Sequence, residues 1–376
     1  MVKTSRYFPT PKNDTILSRQ IAFAAAFLLP ASKLLEAPAL LAKHAAGDLL
    51  LPALLHFILQ AGVLFALLFA ASRSEKTLFE RLEERFGKWT LVFYILYSEY
   101  FLFSAILPLL DLEKFTYAAF FDTSPTVFSF IFFFVFSAFV CAKCLKALGR
   151  AADLCLFLFA IPFLFLIAMS LMETDFSHLL PIFGTKFGDT MSAFTSTTPH
   201  FSDAILLLPL IGNLRYKKGD TVKIMSGYAV GAASTLLLLA VFFGIFSSIA
   251  AREHYAFSKI GQYFPALSVI GRIDLLFVYL LTITLLIFTC MPLLYAVDFT
   301  CRAVGTRRRA LFSAILNLSL LAFTFYFNKY YNGFYSVISG KLPFVFWLIA
   351  DMVPLFFLFL PKSRKTAPIQ KEVARA

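Results

Sequence analysis

Lys33, Glu36, His56, Glu99, His200, Asp203 and Asp351 are ionisable side chains that stand inside long apolar stretches of this sequence. At the centre of a hydrocarbon layer such groups cost about 2.5–3.5 kcal/mol each on insertion scales, so each needs a partner or a task. An acid can hold the ammonium of a small ligand or exchange a proton. An ammonium can neutralise an acid or stand where a free cation would bind, and an imidazole can donate, accept or titrate. Asp203 follows Thr197, Thr198, Pro199, His200, Phe201 and Ser202, whose hydroxyls and imidazole offer hydrogen bonds to a small polar ligand. Three roles are open to it: binding an amine, exchanging a proton, or capping the next helix together with Ser202. Lys33 closes the run Pro30-Ala31-Ser32-Lys33 and precedes Glu36 and Pro38. Either its ammonium binds carbonyls freed by an interrupted helix, as a tethered cation, or it pairs with Glu36 one turn away. Glu99, in YILYSEYFLF, reads as a buried acid that is a proton site or a partner for Lys33. Asp351, near Pro354, settles a polar group on another helix. His56 reads as structural, whereas His200 stands evenly between structural and ligand-binding roles.

Motifs for other chemistry are missing. The chain has no G-x-S-x-G, H-E-x-x-H or Walker sequence and no soluble domain to hold a nucleotide, so no enzyme and no cofactor is expected. Cys141 and Cys144 form a C-x-x-C without a second pair or a nearby histidine, so no metal is expected, and the five cysteines read as reduced thiols rather than a disulfide framework.

The elements that position these residues are membrane helices. With 60% hydrophobic and 15% charged residues and 48 phenylalanines, a soluble fold has too little interior for the apolar surface. Ten spans are expected in an all-α polytopic membrane protein: Ser18 to Ala42, Asp48 to Ala71, Lys88 to Leu110, Thr126 to Cys144, Ala151 to Met172, Thr190 to Asn213, Lys223 to Ala250, Leu267 to Phe299, Ala310 to Phe327 and Leu342 to Leu360. The whole chain, 1–376, reads as one transmembrane domain with tails at 1–17 and 361–376. Arg19 and the apolar run after it imitate a signal peptide, but cleavage there would leave a first span too short to cross. Most of the 34 Lys and Arg fall in alternate connections and in both tails, which places both termini on the cytoplasmic side. The formal charge of +12 is therefore a topology signal, with anionic lipid and not nucleic acid as the expected partner. Ser72 to Gly87 reads either as a short amphipathic helix on the inner surface or as a solvated connector.

Prolines interrupt the first and sixth spans, and backbone groups freed at membrane depth are tolerated only when buried in protein or lining a cavity. Broken helices 1 and 6 of ten divide the chain into two halves of five, the pattern of a five-plus-five inverted repeat with its site near the midplane.

The segment TILSRQIAFAAAFLLPASKLLEAPALLAKHAAGDLLL (Thr15 to Leu51) resembles the opening of the spore germination permeases, the B subunits of germinant receptors. CLKALGRAADL (Cys144 to Leu154) is similar to their loop before span 5, FSDAILLLPLI (Phe201 to Ile211) to the segment after the span 6 break, and GRIDLLFVYL (Gly271 to Leu280) to the start of span 8. Asp203 and Asp274 stand where that family suggests glutamate, and Pro30 and Lys33 replace a small glycine-containing turn. The resemblance implies the amino acid, polyamine and organocation transporter superfamily and its fold of five plus five helices. It also implies nutrient sensing at the inner membrane of a bacterial spore, beside an A subunit and a lipoprotein C subunit.

On this reading a small nutrient, an amino acid by preference, binds near Pro30, Ala31, Ser32, Lys33, Glu99, Thr197, Thr198, His200, Ser202 and Asp203, with Glu36, Arg272 and Asp274 in structural or gating roles. The alternatives are a proton-coupled amino-acid transporter using the same pocket, and a structural subunit whose vestigial pocket is held shut by an ion pair from Lys33 to Asp203 or Glu99.

Overall fold

In the computed structural model, residues 16–120, 126–181, 183–262, 274–330, 333 and 341–359 are described. Their regular elements are all helices, with a single backbone bridge between Ile16 and Leu214 as the only extended pairing among them. In chain order the helices are α1 (Ser18–Ser32) and α2 (Ala37–Ala45), then α3 (Leu50–Ser72), α4 (Leu78–Phe86), α5 (Thr90–Ser104), α6 (Ile106–Phe120), α7 (Thr126–Cys141) and α8 (Leu145–Ser170). They continue with α9 (Phe187–Thr197), α10 (Asp203–Gly212), α11 (Asp220–Phe246), α12 (Ala256–Gln262), α13 (Asp274–Val304), α14 (Arg309–Lys329) and α15 (Lys341–Met352).

Helices are what an apolar solvent permits, because each satisfies its own backbone polar groups. Six described helices are long and apolar enough to cross a membrane, and α1 with α2 makes a seventh as one span bent by 64°. Shorter apolar helices, Ile131–Cys141 and Trp347–Phe359, add to these. The chain is an all-α polytopic integral membrane protein. Its spans sort their residues by face. On α3, Ile58, Phe65 and Phe69 are exposed where lipid would lie, while His56, Gln60, Leu64 and Leu67 are buried.

Two packing features hold the broken first span. Gly227 and Gly231 sit one turn apart on α11 and let its backbone approach α1, where the carbonyls of Ala22 and Ala25 occupy the space that side chains would fill. This is the small-residue packing that membrane helices use in place of a hydrophobic drive between them. The α1 backbone loosens into a π-helical turn over Ala24–Leu28, just before Pro30.

The polar stretch after α3 is more than a surface helix. Thr77 and Glu80 form a reciprocal capping box, with Glu80 N to Thr77 Oγ1 at 3.2 Å and Thr77 N to Glu80 Oε2 at 3.0 Å, and α4 follows at once. Leu78, Phe79 and Leu82 are buried, and the Phe79 ring lies against Gly212 at the end of α10, where no other residue would fit without a shift. Arg302 of α13 stacks over that ring at 4.9 Å, donates to Asp298 at 2.9 Å and reaches Asn213 at 2.6 Å. Arg309 completes the cluster by pairing with Asp298. This end of the bundle is thus cross-linked from α4, α10, α13 and α14.

Candidate ligand site between two broken helices

The first break covers Lys33 to Glu36. Pro38 has no N–H to give the Leu34 carbonyl four residues back. That carbonyl instead meets Phe257 N at 3.4 Å, and Leu35 O meets Ala256 N at the same distance. Residues 254–257 therefore lie as a strap across the break. On its other side, Leu29 O accepts from Ser32 Oγ at 2.8 Å and from Lys33 Nζ at 3.3 Å.

The second break runs from a tight turn at Thr198–His200 through Phe201 and Ser202 to α10. His56 of α3 fixes its near side. The ring is stacked between Phe194 and Phe201, with centroids 4.0 and 4.6 Å away, and Nε2 donates to Phe194 O at 2.9 Å while lying 3.2 Å from Thr197 Oγ1. A neighbouring helix thus holds the end of α9.

Asp203 joins the two breaks. Its Oδ1 lies 2.6 Å from Lys33 Nζ, and both side chains are buried, at 2% and 1% exposure. Oδ2 accepts from Tyr228 of α11 at 3.3 Å, and the ammonium also lies 5.4 Å from the centre of the Phe201 ring. The ammonium therefore bridges Leu29 of the first broken helix and Asp203 of the second, as a cation tethered at the crossing. Of the two readings open for Lys33, pairing with Glu36 is not what forms: Glu36 takes His254 of the strap, at 2.7 Å. Lys33 is buried and the His254 ring is half out of the bundle, so each finds the acid in its own layer.

The capping role open to Ser202 and Asp203 belongs to another residue. Ser202 Oγ donates back to Thr198 O at 3.3 Å, and the free N–H of Ala204 donates to Gln60 Oε1 on α3 at 2.9 Å. The Gln60 amide then gives Nε2 to Asp351 Oδ2 at 2.7 Å. Asp351 settles a polar group on another helix, and that group is Gln60. Sequence reasoning passed over Gln60 and Tyr228. The signal for Gln60 was present: His56 and Gln60 are four apart, two polar side chains on one face of an apolar helix.

Between the breaks lies a small cavity of about 40 Å³, lined by Ser32, Tyr100, His200, Ser202, Thr289 and Trp347 among others. A single water needs roughly 10–15 Å³ of such space, so this holds a few waters and an amino acid requires the walls to move apart. Pro30 and Ala31 are buried, and Pro30 lies against Gly231 of α11. Thr197 and Thr198 spend their hydroxyls on the carbonyls of Ala193 and Phe194, at 2.7 and 2.9 Å. Glu99 is a correction. It is exposed on α5, because Tyr97, Ser98, Tyr100 and Phe101 occupy the buried arc and the helical period turns position 99 outward. It therefore does not reach Lys33. Asp274 is the first residue of α13, and Arg272 lies outside the described residues.

The strap contact carries a pH dependence. The Glu36 carboxylate raises the His254 pKa above its ordinary 6.5 by hydrogen bonding and charge, and Glu253 adds to this, while burial and Lys114 oppose it. A raised folded-state value means the stabilisation is complete below the unfolded value near 6.5 and is lost as pH rises through the higher folded value. The unfolding temperature of the whole protein is expected to fall across that window, and His254→Gln to flatten this part of the profile. An unchanged profile in the variant would remove the strap contact from the account.

Residues 15–332 match the family model Spore_permease, described as spore germination protein. No curated protein matches the chain.

Proposed function

The chain belongs to the spore germination protein family, and from that premise we propose that it is the membrane subunit of a germinant receptor, binding a small nutrient, an amino acid by preference, between its two broken helices. One observation carries this reading. Two interrupted helices, the elements that membrane proteins use to present polar backbone to a solute, meet at a cavity reached by Ser32 from one break and His200 and Ser202 from the other. The five-plus-five repeat and ten spans belong to the same proposal, as does placement in the inner membrane of a spore with both termini cytoplasmic, beside A and C subunits. The role is binding and not catalysis.

The small cavity suits a sensor that works by changing shape. A nutrient shifts such an equilibrium only by its differential affinity for the open and closed arrangements. Opening moves Ser32 and Ser202, the chain neighbours of Lys33 and Asp203, so binding and the Lys33 to Asp203 contact are linked. A proton-coupled transporter would use the same pocket, and the structural-subunit alternative is favoured by the buried ion pair that ties the two breaks together beside the cavity.

The test uses the full chain in proteoliposomes, with a pool of labelled amino acids and an imposed proton gradient, and ligand-dependent thermal unfolding on the same preparation. A thermal shift without uptake is the expected result for a sensor. Uptake abolished by Asp203→Asn would replace the receptor with a transporter, and silence in both would leave the structural subunit.

A further inference from the structure

Asp351 of α15 is 1% exposed. Its Oδ2 has one neutral donor, the Gln60 amide at 2.7 Å, and its Oδ1 is buried without a hydrogen-bond partner. Among the described residues, the titratable and polar groups that face it are Gln60 of α3, Tyr97 and Tyr100 of α5, Ser202 and Asp203 at the second break, and Tyr228 of α11. None of these is a cation. Lys33 is already held by Asp203 at 2.6 Å and by Leu29 O.

An ionised carboxylate here would leave its Oδ1 to depend on the Ser202 hydroxyl, whose hydrogen goes to Thr198 O, beside a second carboxylate that already holds the local ammonium. Burial of that kind is among the costliest states a side chain can adopt. A carboxylic acid removes the difficulty, since its hydroxyl is a donor. The Ser202 hydroxyl faces Asp351 and gives its own hydrogen to Thr198 O; Tyr100 meets it as well, and of the two lone pairs on its oxygen one is left to accept from Asp351. With one positive charge on Lys33 and one negative on Asp203, a neutral Asp351 also closes the charge count of the cluster.

We propose that Asp351 is a proton-binding site, holding one H⁺ beside the Lys33 to Asp203 ion pair. Gln60 ties this site to the second break, because the same amide takes Ala204 N at the start of α10. Loss of the proton places a charge against Gln60 and Ser202, so proton occupancy and the position of α10 depend on one another. A cationic group entering beside Ser202 would take over the neutralising role and release the proton. The site stands on the geometry of α3, α10 and α15, independently of which nutrient the cavity takes.

Infrared spectroscopy of the full chain in lipid nanodiscs at neutral pH tests this. The expected result is a carboxylic-acid carbonyl band that shifts in D₂O, disappears in Asp351→Asn and survives in Glu99→Gln. Identical bands in wild type and Asp351→Asn would overturn the proposal. Should Asp351→Asn fail to fold, Gln60→Leu removes the amide donor and is expected to move the band to higher frequency without abolishing it. A band that does not move, or a wild type without one, would overturn the proposal as well.

Discussion

Lys33→Ala is expected to destabilise the protein by about 3–5 kcal/mol, the range for removing one partner of a buried ion pair. Asp203 is 2% exposed, and its remaining donor is the Tyr228 hydroxyl at 3.3 Å, so its charge would be left in a site that water does not reach. The cost is the penalty of the stranded acid more than the net worth of the pair. Consequently Lys33→Met combined with Asp203→Leu is expected to recover most of the loss, as replacement of both partners by apolar residues often does. Thermal unfolding in nanodiscs across the double-mutant cycle measures the coupling. An unchanged midpoint for Lys33→Ala would mean that the bridge between the two broken helices does not form. The cycle also bears on function. If opening of the pocket has to part this pair, the double apolar variant should keep its fold while its response to ligand changes.

Gly227→Ala and Gly231→Ala form the second large effect. A Cβ at Gly227 would lie 2.4 Å from the Ala22 oxygen and 2.8 Å from its Cα, and one at Gly231 would lie 2.4 Å from the Ala25 oxygen. These are backbone atoms, which cannot swing away as the end of a long side chain can. Overpacking of this kind costs typically about 1–3 kcal/mol per site. Because the sites are one turn apart and share one partner helix, the first substitution that forces α11 back lowers the cost of the second, and the pair is expected to be less than additive. Gly62→Ala is the control. Nothing lies within 4 Å of the new carbon on α3, and Ala in a helix interior is favoured over Gly by roughly 0.5–1 kcal/mol. Thermal midpoints of the three variants decide the matter. Equal behaviour of Gly62→Ala and Gly227→Ala would refute the close approach of α11 to α1.

The effect of these glycines reaches the site through one element. α1 passes along its contact with α11 through the π-helical turn and Pro30 to the break that begins at Lys33. A displaced α1 carries the ammonium with it. Loss of ligand response in Gly227→Ala, with the fold retained, would be the signature of a misplaced tether.

Several features were legible in the sequence because they depend on local covalent chemistry. Apolar runs had to become helices in a solvent that offers no hydrogen bonds, and Pro30, Pro38 and Pro199 had to disturb the spans that contain them, since each removes a backbone donor. The choice of Asp203, His200 and Ser202 as candidates followed from their place in such a break. The resemblance carried by Thr15 to Leu51 and Phe201 to Ile211 pointed to the family that the match over residues 15–332 establishes.

Which groups meet across the bundle was left to the tertiary structure. Lys33 has Glu36 three residues away and takes Asp203, 170 residues away, because the sharp break in the first span turns Glu36 toward the strap and leaves the ammonium in the buried layer. Glu99 shares a helix with six inward residues and still points outward, a matter of helical phase that depends on which arc the neighbours cover. Gln60 caps α10 from another helix, a task that no local pattern in either segment encodes. Local propensity and solvent decide what each segment becomes, and only packing decides which polar group a buried charge will find.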